Sequence, residues 1–260
     1  MRLAASLAPG LVAAWTFALA WPTVAQAGTG PWEFVRSDDG IVVHRRKVEG
    51  FDLHEFRGRG VIDAPLPRVL GVLGDAPRRV EWMERCVESW EVEKIGETGQ
   101  IAYNRTKATW PVSDRDVVVK GDTVFDVERR EVRVTFQDAR HRKVPPKDGV
   151  VRIGFLRGHW LLRPYDGGKH TWIEYQAHAD PAGSLPSFVV NMVSKTLPYK
   201  TLLQLRRQVK RAQYPEIEQK LLASPQFREI MAGKKLETAD PGSGAPGGSR
   251  DPTQTPVAPN

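Results

Sequence analysis

In the run EVRVTFQ, Val132, Val134 and Phe136 alternate with Arg133, Thr135 and Gln137. A period of two marks a strand with one buried face and one wet face. GIVVHRRKVEG and LHEFRGRGVID read as two earlier strands, parted at Gly50-Phe51-Asp52. APLPRVLGVLGDAPRRVEWMERC reads as two short helices, started by Asp63-Ala64-Pro65 and Asp75-Ala76-Pro77. ESWEVEKIGETGQIAYNRTKATW, DVVVKGDTVFDVERREVRVTFQ, GVVRIGFLRGHWLLRPY and KHTWIEYQAHAD then form a meander of six or seven strands. Gly121-Asp122 and Asp166-Gly167-Gly168 are its predicted hairpin turns. Antiparallel strands with helices gathered at the ends imply an α+β domain.

A last long helix follows, in ADPAGSLPSFVVNMVSKTLPYKTLLQLRRQVKR from Ala179 to Arg211. On a helical wheel Val190, Val193, Leu197 and Thr201 fall on one side, with Leu205 at its edge. Phe188, Met192, Tyr199 and Leu203 fall opposite, so this helix carries two apolar stripes where a surface helix carries one. A curved sheet of this size needs its concave face covered, and this helix is the candidate. Gly183 and Pro186 set its start, Pro186 suiting the first turn. Pro198 is predicted mid-helix, where it removes one hydrogen bond at a cost of about 3 kcal/mol and introduces a kink. The kink reads as a hinge, or as an incidental proline in a plain buried helix.

The chain ends differ from this core. Met1-Arg2, an apolar run from Leu3 to Trp21 and Ala25-Gln26-Ala27 make residues 1–27 a signal peptide cut after Ala27. Residues 28–215 form the folded domain, 216–236 a short helical extension of marginal stability, and 237–260 a disordered Pro/Gly-rich tail. An exported protein, periplasmic or secreted, is therefore expected. Cys86 is the only cysteine, which excludes an internal disulfide and a cysteine-based metal site. The net charge of +7 favours an anionic partner, nucleic acid or an anionic membrane surface, or serves solubility alone.

Little in the chain points to catalysis. His44, His54, His141, His159, His170 and His178 have no ligand spacing, and no G-x-S-x-G or phosphate-cradling glycine loop occurs. No metal and no cofactor is expected. Trp110, Trp160 and Trp172 read first as core, although an indole N–H can anchor a polar ligand group. Basic residues are not interleaved with aromatics in a nucleic-acid pattern.

Three segments carry a resemblance. WPVSDRDVVV (Trp110 to Val119), GHWLLRPYDGGKHTWIEYQAHADPAGSLPSFVVN (Gly158 to Asn191) and TLPYKTLLQLR resemble, in this order, the START (steroidogenic acute regulatory protein-related lipid transfer) family of the helix-grip superfamily. The likeness spans about Trp32 to Gln213. It implies a helix-grip fold, a curved antiparallel sheet around a long C-terminal helix with an apolar tunnel between them. One lipid or other apolar small molecule would lie in the tunnel, behind a lid made by the helix and the basic loop Asp138 to Gly149. Trp110, Phe136, Val144, Phe155, Trp172, Val190, Val193, Leu197, Thr201 and Leu205 would line tunnel and lid. Arg140, Arg142, Lys143, Lys195, Lys200 and Arg206 would meet anionic headgroups, each worth about 1 kcal/mol. Arg115, Asp116, Asp180 and Pro198 would be structural, Arg115-Asp116 fixing a loop by a charge-assisted contact. Cholesterol-carrying members place a buried acid and a basic partner where this chain has Ala102 and Gly121, which speaks against a sterol held by that pair.

The function expected is lipid binding and transfer by a monomer, without enzymatic activity. The alternatives are a polyketide cyclase or aromatase in the same tunnel, which needs positioned polar groups there, or a ligand-sensing interaction module.

Overall fold

Phe56, Gly58, Gly60 and Ile62 point to one side of a strand and are buried, while Glu55, Arg57, Arg59 and Val61 alternate with them and stay half-buried. This alternation gives the whole sheet one apolar and one polar face. The computed structural model describes residues 29–51, 53–180, 182, 196–211 and 213–232. Its strands are β1 (Glu33–Asp38), β2 (Ile41–Arg46), β3 (Glu55–Ile62), β4 (Cys86–Ile95) and β5 (Gly99–Thr106). They continue as β6 (Arg115–Asp126), β7 (Glu131–Ala139), β8 (Val151–Arg152), β9 (Phe155–Tyr165) and β10 (His170–Asp180). Helix α1 (Leu66–Gly74) and a 3-10 helix (Pro77–Glu81) stand between β3 and β4. Helices α2 (Leu197–Arg211), α3 (Pro215–Ala223) and α4 (Pro225–Ala232) close the described chain.

The strands form one sheet in the order β1-β2-β3-β10-β9-β7-β6-β5-β4, with short β8 parallel to β6. The pairing β3–β10 brings the first strands beside the last, so the meander folds back and the sheet curves around a core. Helix α2 lies against β2 and β3 on the apolar side, with Leu202 and Leu205 fully buried. A Cβ at Gly58 would stand 3.0 Å from Leu202, so the missing side chain lets the helix approach the strand.

The sheet and covering helix match the α+β helix-grip expectation, and the Asp166-Gly167-Gly168 turn joins β9 to β10 with positive φ at all three residues. Two details differ. Gly121-Asp122 is no turn: β6 runs straight through it, and Gly121 sits opposite Phe136 of β7. Strand β1, which pairs with β2, was not anticipated. Pro198 stands in the first turn of α2 as described, where its missing N–H costs little. The segment 183–195, on which the hinge depends, lies outside the described residues. The extension of expected marginal stability is bolted on: Phe227 and Ile230 of α4 are completely buried in the main core.

Candidate functional site

The concave face carries a dense aromatic group. Trp160 of β9 and Tyr175 of β10 are cross-strand partners and stack at 3.9 Å with an interplanar angle of 8°. Trp82, just after the 3-10 helix, meets Trp160 edge-on at 6.2 Å, and Phe136 lies 6.2 Å from Tyr175. From the helix side Thr201 and Leu205 are fully buried. Two polar atoms in this interior, Trp82 Nε1 and Thr201 Oγ1, have no hydrogen-bond partner among the described residues. Buried polar atoms are ordinarily paired, so each is a point at which a bound molecule gains a hydrogen bond.

Among these groups stands one cation, Arg79. The 3-10 helix turns Arg78 outward to Glu81, at 3.0 and 3.1 Å, and Arg79 inward. Arg79 Nη1 donates to Asn104 Oδ1 at 3.4 Å and Nη2 to the Leu73 carbonyl at 3.3 Å. With its amide oxygen toward the guanidinium, Gln100 accepts from Nη2 at 3.0 Å while its nitrogen donates to the Gly74 carbonyl at 3.2 Å. All three acceptors are neutral. No carboxylate reaches ion-pair distance of Arg79 among the described residues, and burial lowers its pKa. Arg79 lies deep in the molecule with part of its surface still accessible. A guanidinium without a counter-ion in such a place is costly, and an anionic ligand group relieves that cost. Ala102 and Gly121 face the same interior from β5 and β6, and neither brings a polar side chain to it.

The anticipated lining residues divide. Leu197, Thr201, Leu205 and Phe136 border the core on its concave side. Val190 and Val193 lie outside the described residues. Trp110 does not line the interior: it is 88% exposed in the loop between β5 and β6. Trp172 alternates with Thr171 and Ile173, which puts it on the convex face beneath the Arg163 guanidinium, 5.2 Å from its ring. Phe155 sits on that same face against Phe51 and His178, with ring centroids at 4.9 and 5.2 Å. Val144 is buried on the convex face as well, in a satellite cluster with Tyr103 and Val118. The loop following β7 therefore folds over the back of the sheet. It is held there by Arg152, which pairs with buried Asp116 at 2.6 and 3.0 Å and donates to the carbonyls of Val144 and Pro145.

The structural and surface residues can be placed likewise. Asp116 pairs with Arg152, whereas Arg115 donates to the carbonyls of Ser113 and Ala182. Asp180 accepts from the Ala182 amide at 2.9 Å. Arg140, Arg142, Lys143 and Lys200 are exposed, and Lys195 lies outside the described residues. Arg206 is not a free surface cation: it donates to the carbonyls of Val61, Asp39 and Gly40 and ties α2 to the sheet. On the opposite side Gln204 and Gln208 donate to Glu84 and Glu81 at 2.8 and 2.7 Å.

The curved antiparallel sheet and the helix covering it define a helix-grip protein. The START domain model matches residues 23–216, and the chain belongs to that family. It is 29% identical to the phosphatidylcholine transfer protein of Bos taurus over 63% of this chain and 77% of that protein. It is 27% identical to human START domain-containing protein 10, over 76% of this chain and 66% of that protein. The crystal structure of a STAR-related lipid transfer protein from Xanthomonas axonopodis superposes with a TM-score of 0.63 at 32% identity, covering 69% of this chain and 98% of that one. That of human STARD10 gives a TM-score of 0.61 at 25% identity, covering 78% and 83%.

Proposed function

We propose that the protein encloses a phospholipid between the concave face and α2, with its phosphate against Arg79, and carries it between membranes without chemical change. Arg79 carries this reading: a desolvated, partly accessible guanidinium held by neutral acceptors suits a phosphodiester, which an Arg fork grips through two oxygens. Similarity to a phosphatidylcholine transfer protein supports the same ligand class. Burying about 300–400 Å² of acyl surface would contribute about 8–10 kcal/mol before ordering costs. Burial pushes the Cys86 thiol pKa up, which suppresses the one thiol as a nucleophile.

We propose further, from the leader-like sequence of residues 1–27, that the protein is exported and does this work outside the cytoplasm. Docking would use the end of the sheet where the β5–β6 and β7–β8 loops emerge together. There Trp110 is exposed, and Arg140, Arg142 and Lys143 lie in the second loop. Tryptophan suits the headgroup layer of a bilayer. Native mass spectrometry of the exported protein, followed by lipid extraction, tests the carrier reading. One phospholipid per chain is expected, depleted in Arg79→Gln. A wild-type chain that stays empty after incubation with phosphatidylcholine vesicles refutes it. Trp110→Ala should keep its lipid but transfer it several-fold more slowly between vesicles, and an unchanged rate would remove that loop from docking.

A further inference from the structure

On the outer side of the 3-10 helix a second concavity opens, a cleft of about 290 Å³ between that helix, the turn after it and α2. Arg85, Arg207 and Arg211 line it, and Glu81 is the only carboxylate of its lining among the described residues. Glu81 is already engaged, accepting two hydrogen bonds from Arg78 and one from Gln208. Arg85 is held in position by donating to the Lys107 carbonyl and Thr109 Oγ1, each at 2.8 Å. Arg207 and Arg211 are exposed and make no ion pair among the described residues; Arg211 contributes only its field at Glu81.

We propose that this cleft is a binding site for a phosphate group, separate from the lipid site proposed between the sheet and α2. Arg207 and Arg211 face one carboxylate that is already engaged, so positive charge gathers in a concave site and focuses the field on an entering anion. Planar guanidinium forks match phosphate oxygens in pairs, and a phosphomonoester offers the charge and acceptors to engage more than one fork. Arg85 is pre-positioned, so less conformational freedom is lost on binding. Of the interior groups, Arg79, Trp82, Trp160 and Thr201 are not among the described residues that line the cleft. The inference therefore stands whether or not the interior holds a phospholipid. The phosphate has two chemical sources, the headgroup of an anionic lipid in a membrane surface or a soluble phosphate, and the same arginines serve either.

Two probes separate these sources: inorganic pyrophosphate measured by titration calorimetry, and phosphatidylcholine vesicles with or without phosphatidic acid measured by co-sedimentation. The full exported chain is compared with Arg207→Gln/Arg211→Gln and with Lys94→Gln/Arg129→Gln, which removes the same charge from exposed positions elsewhere. Loss of two charge-assisted contacts should weaken binding at least about tenfold in the cleft variant, with the control close to wild type. Loss seen with pyrophosphate shows a soluble phosphate is accepted; loss seen only with phosphatidic acid vesicles assigns the site to a lipid headgroup. No saturable binding of either probe, or equal losses in both variants, overturns the proposal. Both arginines are exposed, so folding should persist; Arg211→Gln alone repeats the comparison if the double variant does not fold.

Discussion

Arg79 has two consequences that pull apart. Its three neutral acceptors and the field of Asp75 compensate part of its desolvation, and among the described residues no carboxylate at ion-pair distance compensates the rest. Replacing it with Gln removes the charge while leaving a group that can still donate to Asn104 or Leu73. The lipid-free Arg79→Gln protein should therefore be as stable as wild type or up to about 2 kcal/mol more stable, while losing its lipid. Thermal denaturation of delipidated samples checks the sign; a clear loss of stability would make Arg79 a structural residue and undo its role as a ligand anchor. Arg79 was not legible in PRRVEW, because adjacent arginines look alike until the 3-10 helix sends one to Glu81 and the other inside. The face of Trp172, by contrast, was readable. In HTWIEYQA it shares its parity with Glu174 and Gln176, the wet side of the strand.

Alternation exposed most strands because one face is apolar, and the Asp-Gly-Gly turn was visible because it needs three positive φ angles. Strand β1 shows no such contrast: EFVRSD is exposed or half-buried throughout, so its pairing with β2 rather than its pattern makes it a strand. Gly121 misled for the opposite reason. A glycine usually marks a turn, but here it sits mid-strand across from Phe136. The C-terminal extension was underestimated because its apolar residues are few. Helix α4 has two completely buried side chains, and the Phe227 ring meets Phe125 edge-on at 6.1 Å. Arg130 also donates to the Ile230 carbonyl. Phe227→Ala should cost about 3–5 kcal/mol through lost burial and a residual cavity, lowering Tm by about 10 °C in a domain of this size. Leu222→Ala, half-exposed on α3, should change Tm little. Equal effects of the two substitutions in a thermal melt would show that α4 does not belong to the core.

At the scale of the whole molecule, two convex-face features tie stability to pH, and both act in one direction. Burial lowers the pKa of His44 and of His178, assisted at His44 by the charges of Arg57 and Arg59. The unfolded chain thus takes up protons on these histidines first, and stability begins to fall as pH drops below the usual imidazole value of about 6.5. Glu174 supplies the second window. Burial pushes its carboxyl up, but hydrogen bonds from His159 and Arg59 and the fields of Arg59 and Arg57 outweigh this and hold it at about 2. A folded value below the free one means that its contribution is complete above about pH 4.5 and is lost as pH falls toward 2. At one decade per 1.36 kcal/mol the shift corresponds to about 3 kcal/mol. This network joins β3, β10 and β9, and the β3–β10 pairing closes the sheet around the core, so its loss acts on the whole fold. Urea unfolding from pH 8 to pH 3 should show a shallow decline beginning near pH 6.5 and a steeper one below pH 4.5. Glu174→Gln should lower stability at pH 7 and flatten the steeper decline while leaving the shallow one. If Glu174→Gln keeps the wild-type slope below pH 4.5, acid sensitivity arises from carboxylates other than the one that anchors the closing strands.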